Sequence, residues 1–175
     1  AASVPAISVV TVEQKDVRTH LCQYAVTHGP QKTGVRPRIF EWRLVDGIKE
    51  LAIHTKVNKS TQILESANDQ SDFIGTKVEY VKGAHYLPKA GPEGNTIPFA
   101  IEWMAGYPEW CKKEYSIPEG ESPPGAIFVL RDWHNWVGHN KYLVDMTLKL
   151  FEDIASKGLD MLVVMLAPTT IDIPD

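Results

Sequence analysis

Apolar positions along this chain change their period several times, and each change marks an element. Residues 126–130 (AIFVL) and 161–167 (MLVVMLA) are unbroken apolar runs of strand length, the pattern of strands covered on both faces. Between them Leu143, Met146, Leu150, Phe151 and Ile154 recur at three- and four-residue spacing, which predicts one buried helical face. Asn140 is a good N-cap type before that periodicity, and Asp145 places negative charge in the N-terminal half. Lys157 and Gly158 mark the far end, a cation followed by a glycine able to terminate the helix. Strand, helix and strand with short links predict a βαβ unit with parallel strands and a right-handed crossover.

The front half reads as β-rich. Residues 6–13 (AISVVTVE) form a β-branched run, and residues 17–28 alternate as a second strand, with Val17, Leu21 and Ala25 on one side. A turn cluster follows at 29–34. RIFEWRLV and IKELAIHT then flank Asp46-Gly47, which predicts a 38–55 hairpin closed by a two-residue type I′ turn. That closure sets Val45 opposite Ile48, Trp42 opposite Leu51, Phe40 opposite Ile53 and Arg43 opposite Glu50. Further on, 60–67 (STQILESA) reads as a short helix, 76–82 (TKVEYVK) as a strand and 87–96 as a Pro/Gly loop. Residues 97–104 (IPFAIEWM) read as a strand with Pro98 near its start, and 117–125 as a second Pro/Gly connector. The expected fold is therefore a single α+β domain over 1–175. Its sheet is mainly antiparallel, and the C-terminal strand–helix–strand unit packs on or into it.

Composition narrows the functional classes. The 175 residues carry 43% hydrophobic and 23% charged side chains, with a formal net charge of -4, ordinary values for a folded domain. No basic run is present, so nucleic acid is disfavoured as a partner. No apolar stretch approaches the roughly 20 residues of a membrane span. The opening AASVPAISVV has neither the basic nor the long apolar region of an intact signal peptide. Cys22 and Cys111 are the only cysteines and fit no C-x-x-C pattern, so they read as two buried thiols. Asn58-Lys59-Ser60 matches a glycosylation sequon.

The chemistry concentrates where the first strand of the βαβ unit meets its helix, at Arg131 to Asn140 (RDWHNWVGHN). Open α/β sheets bind ligands at such strand ends. Asp132, His134 and His139 are the candidate acid–base groups, brought together by a tight loop through Gly138. Their spacing matches no dedicated metal motif, and the chain holds no P-loop, dinucleotide fingerprint or nucleophile elbow. Arg131 beside the helix start is a candidate for holding a carboxylate or phosphate. His85, in Gly83-Ala84-His85-Tyr86, reads as a loop histidine, and His20 and His54 as structural residues in strands. Tyr107, Trp110, Trp133 and Trp136 are candidate ligand- or partner-binding aromatics.

Three functions are consistent with this pattern. The first is a binding or assembly module that engages a partner protein or a small apolar ligand through Tyr107, Trp110, Trp133 and Trp136. The second is a small hydrolase or lyase using Asp132, His134 and His139 with help from Arg131 or His85. The third is a structural subunit of a large protein assembly. No particular cofactor is indicated.

Overall fold

Six strands in the order β1-β6-β5-β2-β3-β4 make one mixed sheet in the computed structural model, which describes residues 4–11, 13–33, 37–54, 77–85 and 96–168. The strands are β1 (Ala6–Val10), β2 (Arg38–Arg43), β3 (Gly47–His54), β4 (Lys77–His85), β5 (Ala126–Arg131) and β6 (Met161–Ala167). The helices are α1 (Gln14–Thr33), α2 (Thr96–Glu114), the short α3 (Trp133–Val137) and α4 (Lys141–Ser156). The 60–67 helix, most of the 87–96 loop and the Asn58 sequon lie outside the described residues.

The sheet is not mainly antiparallel. β1–β6, β6–β5 and β5–β2 pair in parallel, and only β2–β3 and β3–β4 pair antiparallel. The cause is two helices where strands were expected. Val17, Leu21 and Ala25 stand four residues apart, which is a helical stripe, and α1 runs through His20 and past Gly29 to Thr33. Ile97, Ala100, Ile101, Met104, Tyr107 and Cys111 are all buried at helical spacing along α2. Pro98 sits in the first turn of α2, where a missing N–H costs nothing. Helical crossovers let successive strands run parallel, which a tight hairpin cannot. His85 ends β4 rather than lying in a loop.

The hairpin forms in a different register. Asp46 N donates to Arg43 O at 3.2 Å, and Gly47 follows with φ 71. That is the three-residue connection in which a tight turn is followed by a left-handed glycine, not a two-residue turn. Arg43 consequently pairs with Gly47, Trp42 with Ile48 and Phe40 with Glu50. The odd shift exchanges faces. Trp42 and Ile48 now share one face of the sheet, and Leu51 joins Ile39 on the other.

The alternation of β2, β5 and β6 then builds two cores. Phe40, Trp42, Phe128, Leu130 and Val163 pack under α2, α3 and α4. Ile39, Ile127, Val129, Val164 and Leu166 pack with Cys22 and Ala25 of α1. The sheet is thus covered on both faces along β2, β5 and β6, and Cys22 and Cys111 are free thiols on opposite sides of it. The C-terminal unit matches its sequence pattern closely. β5 and β6 pair in parallel from Ala126↔Met161 to Arg131↔Leu166. Asn140 Oδ1 accepts from Tyr142 N at 3.1 Å and Leu143 N at 3.3 Å to cap α4. Among the described residues, no helix is long and apolar enough to cross a membrane.

Candidate functional site

At the carboxyl end of the parallel strands, three segments distant in sequence converge. The turn after β1 starts α1 at Gln14, β2 contributes Glu41, and β5 ends in Arg131 and Asp132. In α1, Gln14, Arg18 and Cys22 are four residues apart, so they share one helical face. Arg131 Nε donates to Gln14 Oε1 at 3.0 Å, and Gln14 Nε2 donates to Asp132 Oδ1 at 3.3 Å. Glu41 is almost fully buried, and its two oxygens meet Arg18 Nη1 at 3.4 Å and Arg131 Nη1 at 3.9 Å. Two guanidinium groups around one buried carboxylate supply the counter-charge that its burial demands. Burial pushes the Cys22 thiol up to about 11, with Glu41 adding to the shift and Arg18 opposing it. That thiol is protonated and unreactive at neutral pH.

Asp132 carries an unusual backbone. Its φ of 56 and ψ of 24 lie in the left-handed region, uncommon for a residue with a side chain. Its N–H donates to Leu166 O at 2.9 Å, extending the β5–β6 ladder by one bond, and its carbonyl accepts from Asn135 N at 3.0 Å. The chain therefore turns sharply out of the sheet at Asp132 and straight into α3.

Inside α3 the residues divide by direction. Trp133 is 1% exposed, meets Trp42 edge-on at a 4.7 Å centroid distance, and donates from Nε1 to Thr147 Oγ1 at 3.2 Å. Val137 is buried beside it in the same core. His134 is half-buried, and its Nε2 has no hydrogen-bond partner. Burial holds its pKa below the ordinary histidine value, against the opposing effects of Asp132 and Asn135, so the ring is neutral at pH 7. Trp136 is 47% exposed, and Gly138, His139 and Asn140 are exposed after it. A Cβ at Gly138 would stand 2.7 Å from His134 O, so the chain closes over α3 at a distance only glycine permits. The corner resumes as a helix at Lys141, with Tyr142 68% exposed.

The structure brings Asp132 and His134 near each other. No hydrogen bond or ion pair among the described residues joins His139 to either. No cluster of three or more His, Cys, Asp and Glu side chains among those residues is arranged to hold a metal. Tyr107 is 1% exposed in the α2 core and donates to Pro124 O at 3.0 Å. Trp110 is half-buried and, with Phe40 and Tyr115, surrounds the Arg38 guanidinium at 4.9–5.3 Å. Burial works against the charge of Arg38, but its bidentate contact with Glu50 (2.6 Å for each bond) more than offsets this and raises the pKa.

Tyr107 also lines a cleft of about 350 Å³ at the opposite, amino end of β5 and β6, but charged Glu109, Lys112, Glu121, Lys157 and Asp160 share that lining. Gln14, Arg18 and Glu41 were invisible as site residues from the sequence. Reading α1 as a helix would have aligned the first two, and a glutamate inside RIFEWR needed a buried partner once both faces of β2 were covered. No family model matches this chain, no curated protein matches it, and no solved structure matches it.

Proposed function

We propose that the chain is an assembly domain that docks a protein partner on the α3–α4 corner, residues 136–142. The carrying observation is the exposure of Trp136 and Tyr142 on a corner whose backbone is fixed from within. Trp133 and Val137 anchor it in the core, Gly138 closes it against His134, and Asn140 caps the helix that follows. Large aromatics on an ordered backbone lose little entropy on binding and act as interface anchors. Meanwhile Gln14, Arg18, Glu41, Arg131 and Asp132 are engaged with one another, although Arg18 Nε is buried without a hydrogen-bond partner.

The test is a photo-crosslinking residue at position 136, compared with one at exposed Glu119, in the cells that make the protein. A discrete adduct at 136 and none at 119 is the expected result. Equal labelling at both positions would remove the reading.

A second reading draws on Asp132. A strained backbone at a strand's carboxyl end is a recurrent feature of active sites, and the neutral His134 beside it is in the protonation state of a general base. In that case the chain is a small hydrolase or lyase. Asp132→Asn and His134→Asn would each abolish turnover of a substrate that Trp136→Ala leaves unaffected.

A further inference from the structure

We infer that His134 is an acid-operated latch of the α3–α4 corner: the corner is closed while the imidazole is neutral, and proton uptake opens it. The inference rests on the docking reading above, because it names what regulates that same surface. Two observations carry it. His134 Nε2 is buried and has no hydrogen-bond partner, whereas buried polar atoms are paired as a rule. The same residue closes the corner through its backbone. His134 O accepts from Gly138 N at 2.8 Å and stands where a Cβ at position 138 would strike it.

A neutral ring can leave Nε2 as an unshared lone pair. The imidazolium carries an N–H and a charge there, with no acceptor in reach. Among the described residues, the elements packed against α3 offer little relief. β6 has no titratable side chain, and Lys141, Tyr142 and Asp145 at the start of α4 are exposed. Asp132 and Asn135 favour the charged ring, but desolvation outweighs both, and the Asp132 carboxylate is already held by Gln14 Nε2 at 3.3 Å. Charged Nε2 therefore has to reach water. α3 has only five residues, so the displacement is taken up in the single turn that Gly138 N closes. Trp133 and Val137 stay in the core, while Trp136 loses the ordered backbone that lets it bind at low entropic cost. The closed corner holds its proton less well than the open one, so acid below the ordinary value of 6.5 favours opening.

The experiment is amide hydrogen exchange of the whole chain at pH 7 and pH 5, corrected for the intrinsic pH dependence of exchange. Protection of the Gly138 N–H is expected to fall at least about fivefold at the lower pH, within the ~30-fold that 1.5 pH units below 6.5 permit. The Leu159 N–H, which donates to Ile154 O at 3.1 Å at the far end of α4, is expected to stay protected. His134→Gln and His134→Asn cannot take up the proton, and either one that folds is expected to hold Gly138 equally protected at both pH values. Equal protection of Gly138 in the wild-type chain at the two pH values overturns the inference, as does a loss that the variants share or that Leu159 matches. The photo-crosslinker at position 136 separates this result from the docking reading. An adduct formed at pH 7 and lost at pH 5, but kept at both by His134→Gln, supports the latch. No adduct at either pH, with Gly138 still opening in acid, sinks the docking reading and upholds the latch as a property of the fold.

Discussion

Arg131–Trp133 and Trp136–Tyr142 belong to one continuous stretch, yet they meet opposite environments. In the first, every chemically capable side chain turns inward: Arg131 to Gln14 and Glu41, Asp132 to Gln14, Trp133 to Trp42 and Thr147. In the second, Trp136, His139 and Tyr142 turn outward. The left-handed turn at Asp132 lies within the first and the close-packed glycine at 138 within the second. The lesson is that residues dense in catalytic types can be consumed in holding the fold, and that the neighbouring ordinary aromatics then become the exposed chemistry.

Substitutions should divide along that line. Trp133→Ala removes a ring 1% exposed together with its hydrogen bond, and should cost about 3–5 kcal/mol in urea unfolding. Glu41→Gln leaves Arg18 and Arg131 without their shared counter-charge. The expected loss is about 2 kcal/mol, below that for a fully buried pair because both guanidinium groups are partly exposed. Gly138→Ala drives a methyl against His134 O and should cost about 1–2 kcal/mol by the same measurement. Trp136→Ala with Tyr142→Ala should change stability by less than about 0.5 kcal/mol, since both side chains are exposed.

The smallest effect is a pH dependence. His134 binds its proton less readily folded than unfolded, so below the ordinary value of 6.5 the unfolded chain takes up protons first. Stability contributed by this group is complete above that value and is lost as the pH falls beneath it. His134→Asn should flatten the unfolding midpoint against pH between neutral and mildly acidic conditions. An unchanged slope would show that the ring is not desolvated.

The sequence was most legible where several local signals agreed. Apolar periodicity, the Asn140 cap and Gly158 all marked α4, and the flanking apolar runs marked β5 and β6. Single signals misled. Val17, Leu21 and Ala25 lie on one side of a strand or one face of a helix alike, and only the four-residue step favours the helix. Asp46-Gly47 marked the place of a turn but not its type: the turn spans Arg43 to Asp46 with left-handed Gly47 after it, which moved Leu51 to the other face. The connector at 131–140 stood out because its residue types are concentrated there. Its partners were not, because Gln14 and Asp132 are held together by the order of the strands, which no local pattern contains.

The most direct measurement is competition for the adduct formed by a photo-crosslinker at position 136, with excess unlabelled chain as competitor. Wild-type chain and Glu41→Gln chain, measured where the latter remains folded, should suppress it equally, and the Trp136→Ala/Tyr142→Ala chain should need at least a tenfold excess over either. If the corner variant competes as well as wild type while Glu41→Gln fails, the partner reads the strand ends and not the exposed corner.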